Sequence, residues 1–329
     1  WSWASTTLYA NRFDTDDSIF RLLTLAGMAG VVAMAAAVDQ VGKADEHWFV
    51  LGYVTVRLAL VAGYARAWRH VEHARRAIGP YLIGHAVSAV VWLIALAVPA
   101  PGRYWLWAAG IALDLIGPAV TARLEHAVPL HMDHLPERFA LFIILVLGES
   151  VAAVVTGLHD AGWGAHVVGS AALAFVVAVT LWWIYFDLAG GAAKRRLAEE
   201  GGEHTRQGVH DFYVYAHLPI AVALAAAAVG LEHAVLHGSD GHLSPGTRWV
   251  LALSLAGYLL GAAVLQAGLG RRIRGAFAWP GAGVPLVLLI VLLDLSPAVT
   301  LALLAGVLVA GVGAGFALHR SGEVRTAEV

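Results

Sequence analysis

Ten apolar stretches, most of them near the ~20 residues an α-helix needs to cross a hydrocarbon core, dominate this 329-residue chain. They run roughly over 19–38, 48–67, 80–98, 104–121, 139–157, 165–188, 211–232, 249–269, 276–293 and 298–318, with short polar loops between them. None alternates with a period of two, which argues against a β-barrel. In lipid every backbone N–H and C=O needs an internal partner, so each stretch is expected to be a helix. Only 13% of the residues are charged and 59% are hydrophobic, against about 25% charged in soluble domains. That composition excludes a soluble enzyme, a disordered chain and a collagen-like rod. The expected class is an all-α polytopic membrane bundle of about ten transmembrane helices, forming a single transmembrane domain over 1–329. No loop is long enough to fold as a separate domain.

The loop charges test that count. One set of alternate loops holds Arg12, Arg21, Arg66, Arg69, Arg75, Arg76, Arg123, Arg138, Lys194, Arg195, Arg196, Arg206, Arg271, Arg272, Arg274, Arg320 and Arg325; the other holds Lys43, Arg103 and Arg248. By the positive-inside rule the first set is cytoplasmic, which puts the C-terminus inside. A miscounted span would scramble this alternation. Arginine greatly outnumbers lysine, and Ala, Gly and Val are abundant. This looks like GC-rich bacterial coding and points to a bacterial inner membrane. The chain opens on Trp1, and Trp1–Ala10 reads as the end of an outside-to-inside helix. The expectation is that an earlier part of that helix precedes it.

Other classes are excluded by simple counts. The formal net charge of −2 offers no basic stripe for nucleic acid. There are no cysteines, hence no disulfides, thiolate metal sites or thiol catalysis. Neither a phosphate-cradling P-loop nor a G-x-S-x-G nucleophile elbow occurs, and no motif implies a cofactor.

Three charged residues lie deep in the apolar stretches: Arg57, Asp114 and Glu149. Counting ~1.5 Å per residue from one end of each span puts each near the middle of a ~30 Å core. Burying a charge there is costly, so each is expected to face inward and find a partner. One arginine cannot neutralise two carboxylates. The surplus acid would bind a proton or a cation, or stay protonated by desolvation. The structural alternative is an ion-pair cluster that only holds helices together. The face Arg138, Phe142, Leu145, Glu149, Ala152 and Thr156 recurs at helical spacing and would suit a cavity wall or a packing stripe equally. His85 and His217 are candidates for proton relay or for ordinary buried histidines.

Two polar clusters bear on metal binding. Glu125, His126, His131, Asp133, His134 and Glu137 crowd one cytoplasmic connection, with His134 and Glu137 three residues apart where a helix begins. Glu232, His233, His237 and His242 gather in an outer loop. His131, His134, Glu137, His233 and His237 are thus weak candidate ligands, but neither cluster matches a tight zinc signature. The Asn11–Asp17 run is expected to be a turn in which Asp17 or Ser18 caps the next helix. Pro118, Pro219, Pro280 and Pro285 should kink helices or mark their starts. Gly257/Gly261 and Gly311/Gly315 have the spacing that permits close helix contact.

His134-Leu135-Pro136-Glu137-Arg138-Phe139, followed by Leu147-Gly148-Glu149-Ser150, resembles the H-x-x-E-R-F…L-G-E-[ST] segment of the bacterial low temperature requirement A (LtrA) membrane proteins. Ala10–Asp14 with Arg21-Leu22-Leu23, Asp114 with Pro118, Tyr185-Phe186-Asp187, His217-Leu218-Pro219 and Gly230-Leu231-Glu232 are also similar, so the resemblance spans essentially the whole chain. The family's opening E-L-F-F-D-L segment is not present, in keeping with the expected missing N-terminal part. The resemblance implies a multi-helix membrane protein associated with growth in the cold. It marks His134, Glu137, Arg138 and Glu149 as motif positions without assigning them a reaction.

The functional expectation is a secondary transporter or permeation protein embedded in the lipid bilayer. Its partners would be a small solute, a proton or a cation. Glu149 or Asp114 would take up the coupling ion, Arg57 would set the local potential, His217 is a further pathway candidate, and His134, Glu137 and Arg138 would form the cytoplasmic mouth. Two alternatives stand beside it: a lipid-modifying enzyme using the His134/Glu137 cluster, and a sensor or structural protein without turnover.

Overall fold

A computed structural model describes residues 1–13, 15–121, 134–189, 203–269 and 277–327, with side chains described for most of these. Among the described residues there are eleven helices and no strand. In chain order they are α1 (Ser2–Arg12), α2 (Ser18–Ala37), α3 (His47–His70), α4 (Arg75–Ala95), α5 (Gly102–Thr121), α6 (Leu135–Ala161), α7 (Ala165–Trp183), α8 (Glu203–Leu236), α9 (Pro245–Leu269), α10 (Pro280–Leu292) and α11 (Pro297–Ala327). Eight helices are long and apolar enough to cross a membrane. The 20-residue α5 and the shorter apolar α10 complete the ten expected stretches. Hydropathy placed some boundaries short. α8 begins at Glu203 and α11 runs on to Ala327, because helical hydrogen bonding continues into polar sequence where hydropathy has already fallen.

The chain divides into two compact units, Trp1–His131 and Met132–Val329. In the first unit α3 is central: α1, α2 and α4 pack against it, and α5 packs against α4. The α2–α3 crossing depends on two glycines that the sequence reading did not single out. A Cβ on Gly52 would lie 2.7 Å from the Gly30 carbonyl oxygen and 2.8 Å from the Met34 nitrogen. Both obstacles are backbone, so the helices approach this closely only because neither position carries a side chain.

In the second unit α6 packs on α7 and α8, α8 on α9, α9 on α10, and α11 on α7 and α10. Both small-residue pairs lie at contacts. A Cβ on Gly261 would meet Ile220 at 2.8 Å, and one on Gly315 would meet Leu188 at 2.7 Å. α6 ends at Gly162, whose φ of +84° is left-handed backbone suited to glycine. Pro280 begins α10, while Pro219 and Pro285 lie inside α8 and α10. α7 continues into a π-helical turn, Ile184–Ala189. Tyr258 donates its hydroxyl to the Leu181 carbonyl at 2.6 Å just before the helix widens.

Asp17 caps α2, accepting hydrogen bonds from the Ile19 and Phe20 amides at 2.9 Å each. Arg66 near the end of α3 clasps the same carboxylate through both oxygens. That clasp, with the cap hydrogen bonds, lowers the Asp17 pKa from 3.8 to about 2. A depressed carboxylate contributes stability that is fully present above its unfolded value and is lost as pH falls through its folded one. Wild-type protein should therefore lose part of its thermal stability between about pH 4 and pH 2. Asp17→Asn, less stable at pH 7, should show a shallower decline over that interval. A melting-temperature series against pH in detergent checks this, and parallel curves for the two proteins would contradict it.

Candidate functional site

α3, α4 and α5 are apolar enough that any polar side chain turned inward must be answered by another. Arg57, ten residues into α3, and His85, ten residues into α4, each sit about 15 Å along their helices, close to mid-span. Arg57 is fully buried and Asp114 is 3% exposed. They meet, with the Arg57 Nε 3.4 Å from Asp114 Oδ2.

The other donors close around this pair. Tyr53, one turn before Arg57 on α3, donates its hydroxyl to Asp114 Oδ2 at 2.5 Å and accepts from Arg57 Nη2 at 2.9 Å. Its ring lies under the guanidinium at 4.6 Å, a cation–π contact made available by the i, i+4 spacing. Ser88 on α4 donates to the same Oδ2 at 2.8 Å. Arg57 Nη1 donates to Ser5 Oγ on α1 at 3.3 Å. The Trp1 indole donates to the Asp114 backbone carbonyl at 3.1 Å. The Nδ1 of His85 lies 3.4 Å from both Arg57 Nη1 and Asp114 Oδ1. All of these partners belong to the first unit, so one helical unit assembles the site from α1, α3, α4 and α5.

Rings extend the site in both directions along the unit. On one side His85 stacks on Tyr64 at 5.6 Å and Tyr64 on Tyr81 at 5.3 Å, with the Arg12 guanidinium over Tyr81. On the other, Tyr53 lies 4.3 Å from Trp92, which stacks on Trp107 at 5.2 Å; Trp107 meets Tyr104 edge-on. Beyond Tyr104 the Glu46–Arg103 ion pair closes that end. The arginine–aspartate pair thus interrupts a column of aromatic rings.

Glu149, on α6 in the second unit, is exposed. Among the described residues it forms no ion pair or side-chain hydrogen bond. The stripe through Leu145, Glu149, Ala152 and Thr156 is the exposed side of α6; the packed side runs through Leu135, Phe139, Ile143, Leu147 and Ser150. Periodicity could not separate the two sides because α6 is apolar nearly all round. His134 and Glu137 lie at the start of α6, 3.9 Å apart and about 70% exposed, and Arg138 is half-buried. His131, with Glu125, His126 and Asp133, lies outside the described residues. His233 and His237 stack at 6.4 Å, each turning Nδ1 toward the carbonyl one turn back. Among the described residues no three His, Asp or Glu side chains converge as a metal site.

His217 is buried in the second unit. Its Nδ1 lies 2.6 Å from the Tyr213 carbonyl, so it carries the hydrogen, and Nε2 accepts from the Tyr185 hydroxyl at 2.8 Å. Tyr185 belongs to the π-helical turn, and Phe139 and Tyr213 flank the imidazole at 4.8 and 4.3 Å. A groove of about 320 Å³ between α7 and α11 is lined by Phe175, Val176, Val179, Thr180, Trp183, Val309 and Val312. It offers hydrocarbon only, since the Thr180 hydroxyl is spent on the Val176 carbonyl at 2.7 Å.

Sequence reasoning named Arg57 and Asp114 but missed Tyr53, Ser88 and Ser5, and ranked His85 as secondary. The available signal was Tyr53–Arg57 at i, i+4 and His85–Ser88 at i, i+3. Each pair puts two polar groups on one side of an otherwise apolar helix.

A helical chain with this many membrane-length helices and a sealed mid-span charge pair is a multi-pass integral membrane protein. The family model described as bacterial low temperature requirement A protein (LtrA) matches residues 1–317, and the chain belongs to that family. A protein of Rhizobium meliloti (strain 1021), described as Uncharacterized protein RA0937, is 26% identical over 262 residues. That match covers 72% of this chain and 59% of the relative, so the chain spans about three-fifths of that protein's length. No solved structure gives a significant match.

Proposed function

We propose that this chain is a secondary transporter or permeation protein of the bacterial cytoplasmic membrane, with a proton- or cation-linked site at the Arg57–Asp114 pair. The observation that carries the reading is the placement of a guanidinium, a carboxylate and an imidazole together in the middle of apolar helices. Ionisable groups held at that depth are costly and typically mark substrate or ion pathways. Asp114 is the charge-bearing acid, Arg57 sets its potential, and the two runs of rings approach the pair from opposite ends. The Lys/Arg asymmetry of the loops supports an orientation with the C-terminus inside. In the second unit, Glu149 is a separate carboxylate candidate for ion uptake, His217 a polar candidate, and His134, Glu137 and Arg138 candidates for a cytoplasmic mouth, each to be tested by its own variant. The bilayer and a small solute, proton or cation are the partners.

The test is flux in reconstituted vesicles. Asp114→Asn should lower proton or cation flux at least about tenfold, and Glu149→Gln should lower it too. Equal flux in wild type and Asp114→Asn would reduce the buried pair to a structural pin. Equal flux with Glu149→Gln alone would remove Glu149 from the mechanism and leave Asp114 in it.

A further inference from the structure

The Arg57–Asp114 site holds a buried acceptor with no donor. Asp114 Oδ2 receives two hydroxyl donors and faces Arg57 Nε, but Oδ1 is buried and, among the described residues, accepts no hydrogen bond. A buried carboxylate oxygen without a donor is unusual and costly. The facing group is His85 Nδ1, 3.4 Å away, and that same nitrogen is 3.4 Å from Arg57 Nη1. Both separations exceed a well-formed hydrogen bond, so the imidazole stands between a cation and an anion without fully engaging either.

We infer that His85 is the proton-binding residue of this site, and that the ion it takes is a proton and not a metal cation. This rests on the transport reading only for its use in flux; proton binding itself does not depend on it. In the neutral tautomer with its hydrogen on Nε2, His85 accepts at Nδ1 from Arg57 and Oδ1 stays unanswered. When a proton from water binds Nδ1, a new N–H is formed and can donate only to Asp114 Oδ1. The imidazolium and guanidinium then repel, and the hydrogen bond from Arg57 Nη1 is released. One proton thus transfers His85 from α3 to α5 as its partner, on a helix packed against both. A metal ion has no comparable place. The site's single carboxylate is already matched by Arg57, and a dication would sit against that guanidinium.

The groups that bear on His85 are Arg57 and Tyr64 from α3, Asp114 from α5 and Ser88 on its own helix. Tyr53 and Ser5 act on it through the pair.

The experiment is ¹⁵N NMR of histidine-labelled full chain in lipid nanodiscs, titrated between pH 4 and 9, with His85→Gln to assign the resonance. One imidazole absent from His85→Gln should titrate. Its midpoint should fall by at least about one pH unit in Asp114→Asn, since the stabilising anion is lost. Ser88→Ala, a milder change, should raise the midpoint by leaving the carboxylate less well solvated and more reliant on His85. A His85 signal that keeps one neutral form throughout overturns the inference, as does a midpoint indifferent to both variants. Titration without flux would overturn the transport reading and leave His85 as a proton site; flux without titration would do the reverse.

Discussion

Arg57→Met is expected to cost about 3–5 kcal/mol of folding stability, because it strands a carboxylate in the middle of an apolar unit. Arg57 contacts Asp114, Tyr53, Ser5 and His85, and with 0% of its side chain exposed no water can replace it. The double variant Arg57→Met/Asp114→Leu should recover most of the loss. Replacing a whole buried ion pair with apolar residues of similar volume is often neutral or stabilising. Denaturant unfolding in detergent separates the cases. A single variant as stable as wild type would mean that Asp114 finds another counter-charge, and the one-to-one pairing would be wrong.

Gly52→Ala should also be severe for so small a change, about 1–3 kcal/mol, in the range of an overpacked core. Its methyl group would meet the Gly30 carbonyl and the Met34 nitrogen, neither of which can rotate away. The only relief is separation of α2 from α3. Gly27→Ala, on the same face-to-face pair of helices but with nothing within 4 Å of its added carbon, provides the control. It should be neutral or stabilise slightly, because alanine favours the helix over glycine. Equal effects at the two positions would show that propensity, not the crossing, sets the outcome.

The helices were legible because the bilayer leaves few alternatives: a long apolar segment must satisfy its own backbone, and each of the ten stretches coincides with a helix. Arg57 and Asp114 were legible for the same reason, as rare charges whose equal depth made partnership plausible. What could not be read was lateral placement. Glu149 has the same depth, yet it is exposed on α6 in the second unit, and nothing in an almost uniformly apolar helix reveals which side packs. Within the first unit Arg57 and Asp114 pair one to one beside an imidazole. Tyr53, Ser88 and Ser5 escaped notice because tyrosine and serine are common in membrane helices and acquire meaning only beside Arg57. The Gly30–Gly52 contact was invisible for a different reason: it joins one glycine from each of two helices, and spacing within a single helix cannot show it.

The double variant also tests whether the buried pair and its histidine carry a proton across the membrane. Wild type and Arg57→Met/Asp114→Leu, both shown to be folded, are reconstituted in vesicles holding a pH-sensitive dye, and an outward pH step is imposed. Proton movement is expected in wild type, and its loss, by at least about tenfold, in the variant. Undiminished movement through a folded protein lacking both charges would contradict it.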